Sequence, residues 1–261
     1  MGSPLVNYSL QRCGLPEART LVFSSGLGGA AGFWKPHIDR FVSTFDILLY
    51  DQRGTGNNPA ELGPTSIMAM ANDVLEICDD AGVARVDLIG HALGGLVGLD
   101  LASRPQTRLD RLVAINAWPE IDHHTARCFD IRLGMLQTQG LGPFVALQQN
   151  FLYPPFWISA NPERIAAEEA HAKDHFQGAE HLKHRIAALR DFRLPAMEAS
   201  PTRFLLIAAK DDALVDCTQS KHLAARLPNA QLILYDQGGH ALNITRQSQF
   251  ETDTWAFLND T

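Results

Sequence analysis

Six short runs along the chain are apolar at nearly every position: TLVFSSG (20–26), FDILLYD (45–51), RVDLIG (85–90), RLVAINA (111–117), TRFLLIAA (202–209) and AQLILYD (230–236). Strands that are apolar on both sides are strands covered on both faces, as in a parallel sheet between two helical layers. Between these runs the apolar positions move to a helical period. In 66–81, Ile67, Met70, Val74, Ile77, Cys78 and Ala81 fall on one face. The stretches 93–104, 216–227 and 247–258 predict further helices. Strands alternating with helices predict a doubly wound, mostly parallel α/β sheet with right-handed crossovers.

The alternation stops near residue 120 and resumes at Thr202. The intervening stretch is rich in Ala, Glu, His, Arg and Gln and holds no convincing strand. It reads as a helical insertion between two strands of one sheet. The expected organisation is therefore a core made of 1–119 and 201–261, with 120–200 as a helical cap. No internal repeat or low-complexity tract interrupts this pattern.

Composition narrows the picture only modestly. The chain has 261 residues, 46% apolar and 20% charged, as expected of one large globular domain or a domain with an insertion. A formal charge of −7 argues against nucleic acid as a partner. No apolar run approaches the ~20 residues that span a membrane, and MGSPLVNYSL lacks the basic-then-apolar layout of a signal peptide. A cytoplasmic protein acting on a small molecule is expected, without a membrane or nucleic-acid partner and as a monomer or a dimer. Cys13, Cys78, Cys128 and Cys217 are far apart and read as free thiols. Neither Cys128 nor Cys217 lies on a glycine-flanked turn suited to a nucleophile.

Four elements fall at strand ends in an informative order. Ser25-Gly26-Leu27-Gly28-Gly29 follows the first buried run, and its glycines allow a tight turn that aims the Leu27 amide outward. Gly90-His91-Ala92-Leu93-Gly94 follows a later run and has the G-x-S-x-G spacing of a nucleophile elbow, with the Leu93 amide as a second oxyanion donor. The central residue, however, is alanine. Asp212 ends the strand after the insertion and His240 ends the last strand. Nucleophile position, acid, histidine is the order of an α/β-hydrolase. Each element alone has a plainer explanation, such as an ordinary turn, a structural histidine or a helix N-terminal acid pair at Asp211-Asp212. The four together, in order, predict the fold.

Other candidates carry less. Asp51 and Arg53 in DQRGTG read as the frame of a turn. His171 and His175 have i,i+4 spacing, but Ala172 stands where a zinc motif needs glutamate, so a solvated helix face is the better reading, with no metal and no cofactor. His91, and His124 at the start of the insertion, are candidates to face the pocket.

The chain resembles the RutD family, α/β-hydrolases of the bacterial Rut pathway of pyrimidine degradation. The resemblance extends over nearly the whole chain. It rests on DQRGTGNNP (51–59), GHALG (90–94), HTARCF (124–129), FLYP (151–154), HFQG (175–178) and the GGHALN run ending at Asn243. It implies hydrolysis of 3-aminoacrylate to malonic semialdehyde and ammonia, or of carbamate to CO2 and ammonia. It also implies that Ala92 is native, and it makes Arg127 a candidate partner for the substrate carboxylate. From the residues alone, an inactivated serine hydrolase of esters, lactones or amides and a non-catalytic binder on the same fold remain open. Ser25, often histidine in the superfamily, and Asp216, often proline, depart from the usual pattern without removing a proposed catalytic group.

Overall fold

The computed structural model describes residues 6–58 and 63–260. Met1–Leu5, Pro59 of the NNP run and Thr261 lie outside the described residues. Seven strands form one sheet: β1 (Tyr8–Gln11), β2 (Thr20–Ser24), β3 (Asp46–Tyr50), β4 (Val86–His91), β5 (Leu109–Ile115), β6 (Arg203–Ala209) and β7 (Ala230–Tyr235). Their order is β1-β3-β2-β4-β5-β6-β7, parallel throughout except for β1, which pairs antiparallel with β3. This is the α/β-hydrolase architecture.

Six strands coincide with the six apolar runs. Their side chains divide between two cores, one on each face of the sheet. On β2, Leu21 and Phe23 enter one core and Val22 the other. The first core also takes Trp34 from a 3-10 turn (Ala31–His37), Phe41 of α1 (Ile38–Phe41), and Phe250, Phe257 and Leu258 of α11 (Gln247–Asn259). The second takes the apolar faces of α2 (Ile67–Asp80) and α3 (Leu93–Ala102), and Leu223 of α9 (Cys217–Ala224). Period-two side chains facing two apolar layers are what make these strands read as continuous apolar runs.

β1 is an addition to the sequence reading. It is a four-residue edge strand, YSLQ, that alternates between half-buried and exposed, so no apolar run marks it.

Between β5 and β6 lie five helices: α4 (His123–Gln139), α5 (Leu141–Leu152), α6 (Pro155–Ala160), α7 (Pro162–Asp174) and α8 (Ala179–Asp191). The segment enters and leaves the core side by side. Leu194 donates its N–H to the Pro119 carbonyl at 2.7 Å, and Glu120 forms a β-bridge with Arg193. A final short helix, α10 (Leu242–Thr245), follows the last strand's loop.

The chain runs from β2 outward to β3 and then returns to the other side of β2 with β4. The strand order therefore reverses between β2 and β4. In an open α/β sheet the crevice beyond the carboxyl ends of such a pair is where ligands bind. The Leu27 turn follows β2 and the Ala92 turn follows β4.

Candidate active site

The turn at Ala92 is set by close packing. β4 passes directly into α3, and a β-carbon at Gly90 would overlap the backbone of Gly94 and Gly95. One at Gly94 would overlap the Ser24 carbonyl on β2. Only glycine fits at either position. Ala92 itself sits at φ 46° and ψ −106°, outside the regions a side-chain-bearing residue favours, and is tied down by its N–H to the Ile115 carbonyl at 2.8 Å. Such a conformation costs on the order of 1–3 kcal/mol and persists where the surroundings enforce it. Leu93 is the first residue of α3, so its N–H has no acceptor inside the helix and lies at the positive end of the helix dipole.

His240 and Asp212 meet. The His240 Nδ1–H donates to Asp212 Oδ2 at 2.8 Å, because a carboxylate can only accept. The remaining nitrogen, Nε2, then carries the lone pair, the tautomer a general base needs. The other oxygen of Asp212 accepts the Leu214 and Val215 amides at 2.7 and 2.9 Å, which fixes the carboxylate. Ala92, Asp212 and His240 expose only 7%, 8% and 3% of their surfaces.

Asp211, which the sequence suggests only as part of a helix-terminal acid pair, Asn116, which it does not single out, and His91, a pocket candidate, hold His240 in place. Asp211 accepts the Gly238 and Gly239 amides, both at 2.8 Å, and so anchors the loop that carries the histidine. Asn116, in a left-handed conformation (φ 49°) at the end of β5, donates to the His240 carbonyl at 2.6 Å. His91 donates to the same carbonyl from Nε2 at 2.9 Å, and its ring lies edge-on to His240 with centroids 4.7 Å apart. Burial, with His240 adding to it, pulls the His91 imidazole down to about 3. His91 is therefore a neutral brace behind His240.

The helical segment between β5 and β6 touches three of the four loops, those of Leu27, Asp212 and His240, from α4, the end of α5 and α8. From α4, the Thr125 hydroxyl donates to the Leu214 carbonyl at 3.1 Å, and His124 Nε2 donates to the Ala213 carbonyl at 3.0 Å, both on the Asp212 loop. At the end of α5, the Leu152 carbonyl accepts the Ala241 amide at 2.9 Å, and Pro154 packs so closely on Gly239 that a β-carbon there would clash. From α8, Arg185 reaches the Leu27 turn. Its Nε donates to the Leu27 carbonyl at 2.9 Å and its Nη2 to the Gly26 carbonyl at 3.2 Å and to Gln52 Oε1.

Arg127 is not among these contacts. The buried face of α4 runs through Thr125, Cys128, Phe129 and Arg132, and Arg127 falls on the opposite, exposed side. The buried cations of the helical segment are Arg132 and Arg185, and no carboxylate bonds to either among the described residues. Burial pulls both guanidinium groups down to about 10. Both still carry a charge at neutral pH.

The remaining candidates are structural. Asp51 accepts the Ala31 and Asn57 amides at 2.7 and 2.9 Å, and Arg53 pairs with Asp73 at 2.6 Å. Ser25 donates to the Ala30 carbonyl at 2.8 Å, and Asp216 caps α9. The rings of His171 and His175 lie 4.1 Å apart, and among the described residues no three His, Cys, Asp or Glu side chains converge as metal ligands. All four cysteines are free, and burial pushes the Cys128 thiol up, away from the thiolate. No helix of the described residues is long and apolar enough to cross a membrane.

Residues 16–246 match the profile of a family described as serine aminopeptidase, S33. Among curated proteins, one from Agrobacterium fabrum named "Putative carbamate hydrolase RutD" is 46% identical over 93% of this chain and 94% of its own length. One of the same name from Stutzerimonas stutzeri is 47% identical over 94% of this chain and 93% of its own length. Among solved structures, a hydrolase from Pseudomonas aeruginosa superposes with a TM-score of 0.86 at 26% identity, covering 98% of this chain and 94% of that one.

Proposed function

The chain belongs to the RutD family of α/β-hydrolases, and on that premise we propose that it hydrolyses a carbon–nitrogen bond in a small carboxylate-bearing substrate, releasing ammonia. Carbamate is the substrate in the name of its relatives. 3-Aminoacrylate, which carries an amine and a carboxylate on two vinyl carbons, presents the same groups. The observation that carries this reading is a fully formed nucleophile elbow that holds alanine, adjacent to an intact His240–Asp212 pair.

A serine earns its place where the bond is a stable acyl bond that must be opened through a covalent intermediate. The substrates proposed here need none. Protonated at its α-carbon, aminoacrylate becomes an imine that water attacks directly. The resulting carbinolamine expels ammonia and leaves malonic semialdehyde, so one water enters and one ammonia leaves. Carbamate plus water gives bicarbonate and ammonia in the same balance. Even where serine is the normal nucleophile, oxyanion donors and binding retain roughly a thousandfold to ten-thousandfold catalysis without it.

In the proposed mechanism a water above the Ala92 methyl gives its proton to His240 Nε2, while Asp212 holds the ring through Nδ1. The Leu27 and Leu93 amides receive the carboxylate or the developing oxyanion, helped by the positive end of the α3 dipole. His240 then returns its proton to the departing nitrogen. Segment 120–200 acts as the cap that closes the site over a small substrate and excludes long-chain esters.

Ala92→Ser tests the reading. The variant is expected to fold and to gain measurable turnover of small activated esters such as p-nitrophenyl acetate, because the new hydroxyl meets a base and two amide donors. On aminoacrylate it is expected to gain nothing or to lose, because the hydroxyl displaces the reacting water. A large gain on aminoacrylate would instead mark a serine-dependent site and overturn the water mechanism.

A further inference from the structure

Arg185 is fully buried at 0% exposure, and no carboxylate neutralises it among the described residues. Its five N–H groups are unevenly used. Nε serves the Leu27 carbonyl at 2.9 Å, and Nη2 serves the Gly26 carbonyl at 3.2 Å and Gln52 Oε1. Nη1 is buried and has no partner among the described residues. Gln52 passes the hold onward, donating from Nε2 to the Ser25 carbonyl at 2.8 Å. Three successive carbonyls of the loop after β2 are thus fixed from α8, two directly and one through Gln52. Burying a cation without a counterion carries a desolvation penalty. Hydrogen bonds to neutral carbonyls recover only part of that, so the placement calls for a use.

Peptide geometry supplies one. A trans peptide is planar, and its C=O and N–H point in opposite directions. The Gly26 carbonyl and the Leu27 N–H belong to the same peptide. The Gly29 amide, at 3.0 Å, and Arg185 hold that carbonyl together, which directs the Leu27 N–H away from the arginine, and a cation on the oxygen polarises the peptide into a stronger donor.

We propose that Arg185 is the positioning residue of the Leu27 turn: it aims and strengthens the Leu27 N–H from across the helical segment, and its unneutralised charge makes the site selective for substrates that carry a carboxylate. The proposal rests on the reading in which the Leu27 N–H receives the substrate. It supplies the positive charge that a carbamate or an aminoacrylate requires and that Arg127, on the exposed side of α4, does not.

The full chain, labelled with 15N, tests this with an inert carboxylate, propionate, and separately with turnover. In the native protein, propionate is expected to move the Leu27 amide resonance. In Arg185→Met the propionate affinity is expected to fall on the order of tenfold or more, while Arg185→Lys, which keeps the charge, recovers most of it. In turnover, Arg185→Met is expected to lower kcat about 100–1,000-fold, the effect of losing one oxyanion donor, with a smaller change in KM. A residue that only pinned the helices to the core would shift stability and leave this split and the rescue by lysine unseen.

A folded Arg185→Met protein that binds propionate and moves Leu27 as the native protein does would overturn the proposal. So would a native protein in which propionate leaves Leu27 unmoved. Should Arg185→Met fail to fold, Arg185→Lys decides alone. It loses the two-pronged hold on the loop, so its Leu27 resonance must differ from the native one before any ligand is added, and identity of the two would overturn the proposal. If propionate behaves as expected while neither carbamate nor aminoacrylate is turned over, the proposed function fails and the role of Arg185 stands.

Discussion

At Ala92 the chain is forced into its turn by its own neighbours, since a β-carbon at Gly90 or Gly94 would run into backbone across the turn or on β2. At Leu27, beyond the adjacent strand, the turn is held from another layer of the molecule through the Arg185 guanidinium. One amide donor is built in wherever the sheet forms. The other is held both within its own turn, where the Gly29 amide donates to the Gly26 carbonyl at 3.0 Å, and from the helical segment through Arg185. One half of the proposed oxyanion site is thus a property of the core, and the other leans also on the segment between β5 and β6.

Gly94→Ala places a methyl where the Ser24 carbonyl stands, and backbone cannot yield as a flexible side chain would. Its expected cost is at the top of the ~1–3 kcal/mol range for overpacking, or beyond it. Urea unfolding would read it as a lower midpoint at an unchanged slope. A variant as stable as the native protein would show that the elbow is held from outside after all.

His91 ties the elbow strand to the His240 loop without help from the helical segment. Its imidazole is pulled down to about 3 in the folded chain, against an ordinary value near 6.5. A depressed folded value means that the unfolded chain binds the proton more readily. The stability from keeping His91 neutral is present above about pH 6.5 and is lost as the pH falls toward 3, at up to about 1.4 kcal/mol per pH unit. His91→Gln keeps an N–H for the His240 carbonyl and removes the titration. Its stability is expected to fall less steeply than that of the native protein between about pH 6 and 4. Parallel slopes in denaturant titrations at successive pH values would contradict this.

The same contrast explains what could be read from the sequence. The elbow was legible because its constraint is local: two glycines four residues apart at the end of an apolar run announce a strand packed hard against a helix. Asp212 and His240 were legible because each closes such a run in a fixed chain order. Asp211 stood beside them in plain view but read as half of a helix-terminal acid pair. Its real partners, the Gly238 and Gly239 amides, lie on a different strand's loop. Arg185 left no signal at all, since a helix of Ala, Leu, His, Lys and Arg does not tell which of its cations is turned inward. Arg127 is a candidate from its motif alone, and helical phase, fixed by Cys128 and Phe129 on the buried face of α4, leaves it on the exposed side. β1 escaped because an edge strand of four half-exposed residues carries no apolar run.

In the mechanism we propose, His240 and Asp212 work on water in a site without a nucleophilic side chain. Its most direct test is the rate at which ammonia is released from freshly generated 3-aminoacrylate and from carbamate, measured with no protein, with native protein and with His240→Ala. The native protein is expected to accelerate release from at least one of the two, and His240→Ala to lose about 100–10,000-fold of that acceleration, the usual share of a general base. Equal rates with native protein and with His240→Ala would contradict the account.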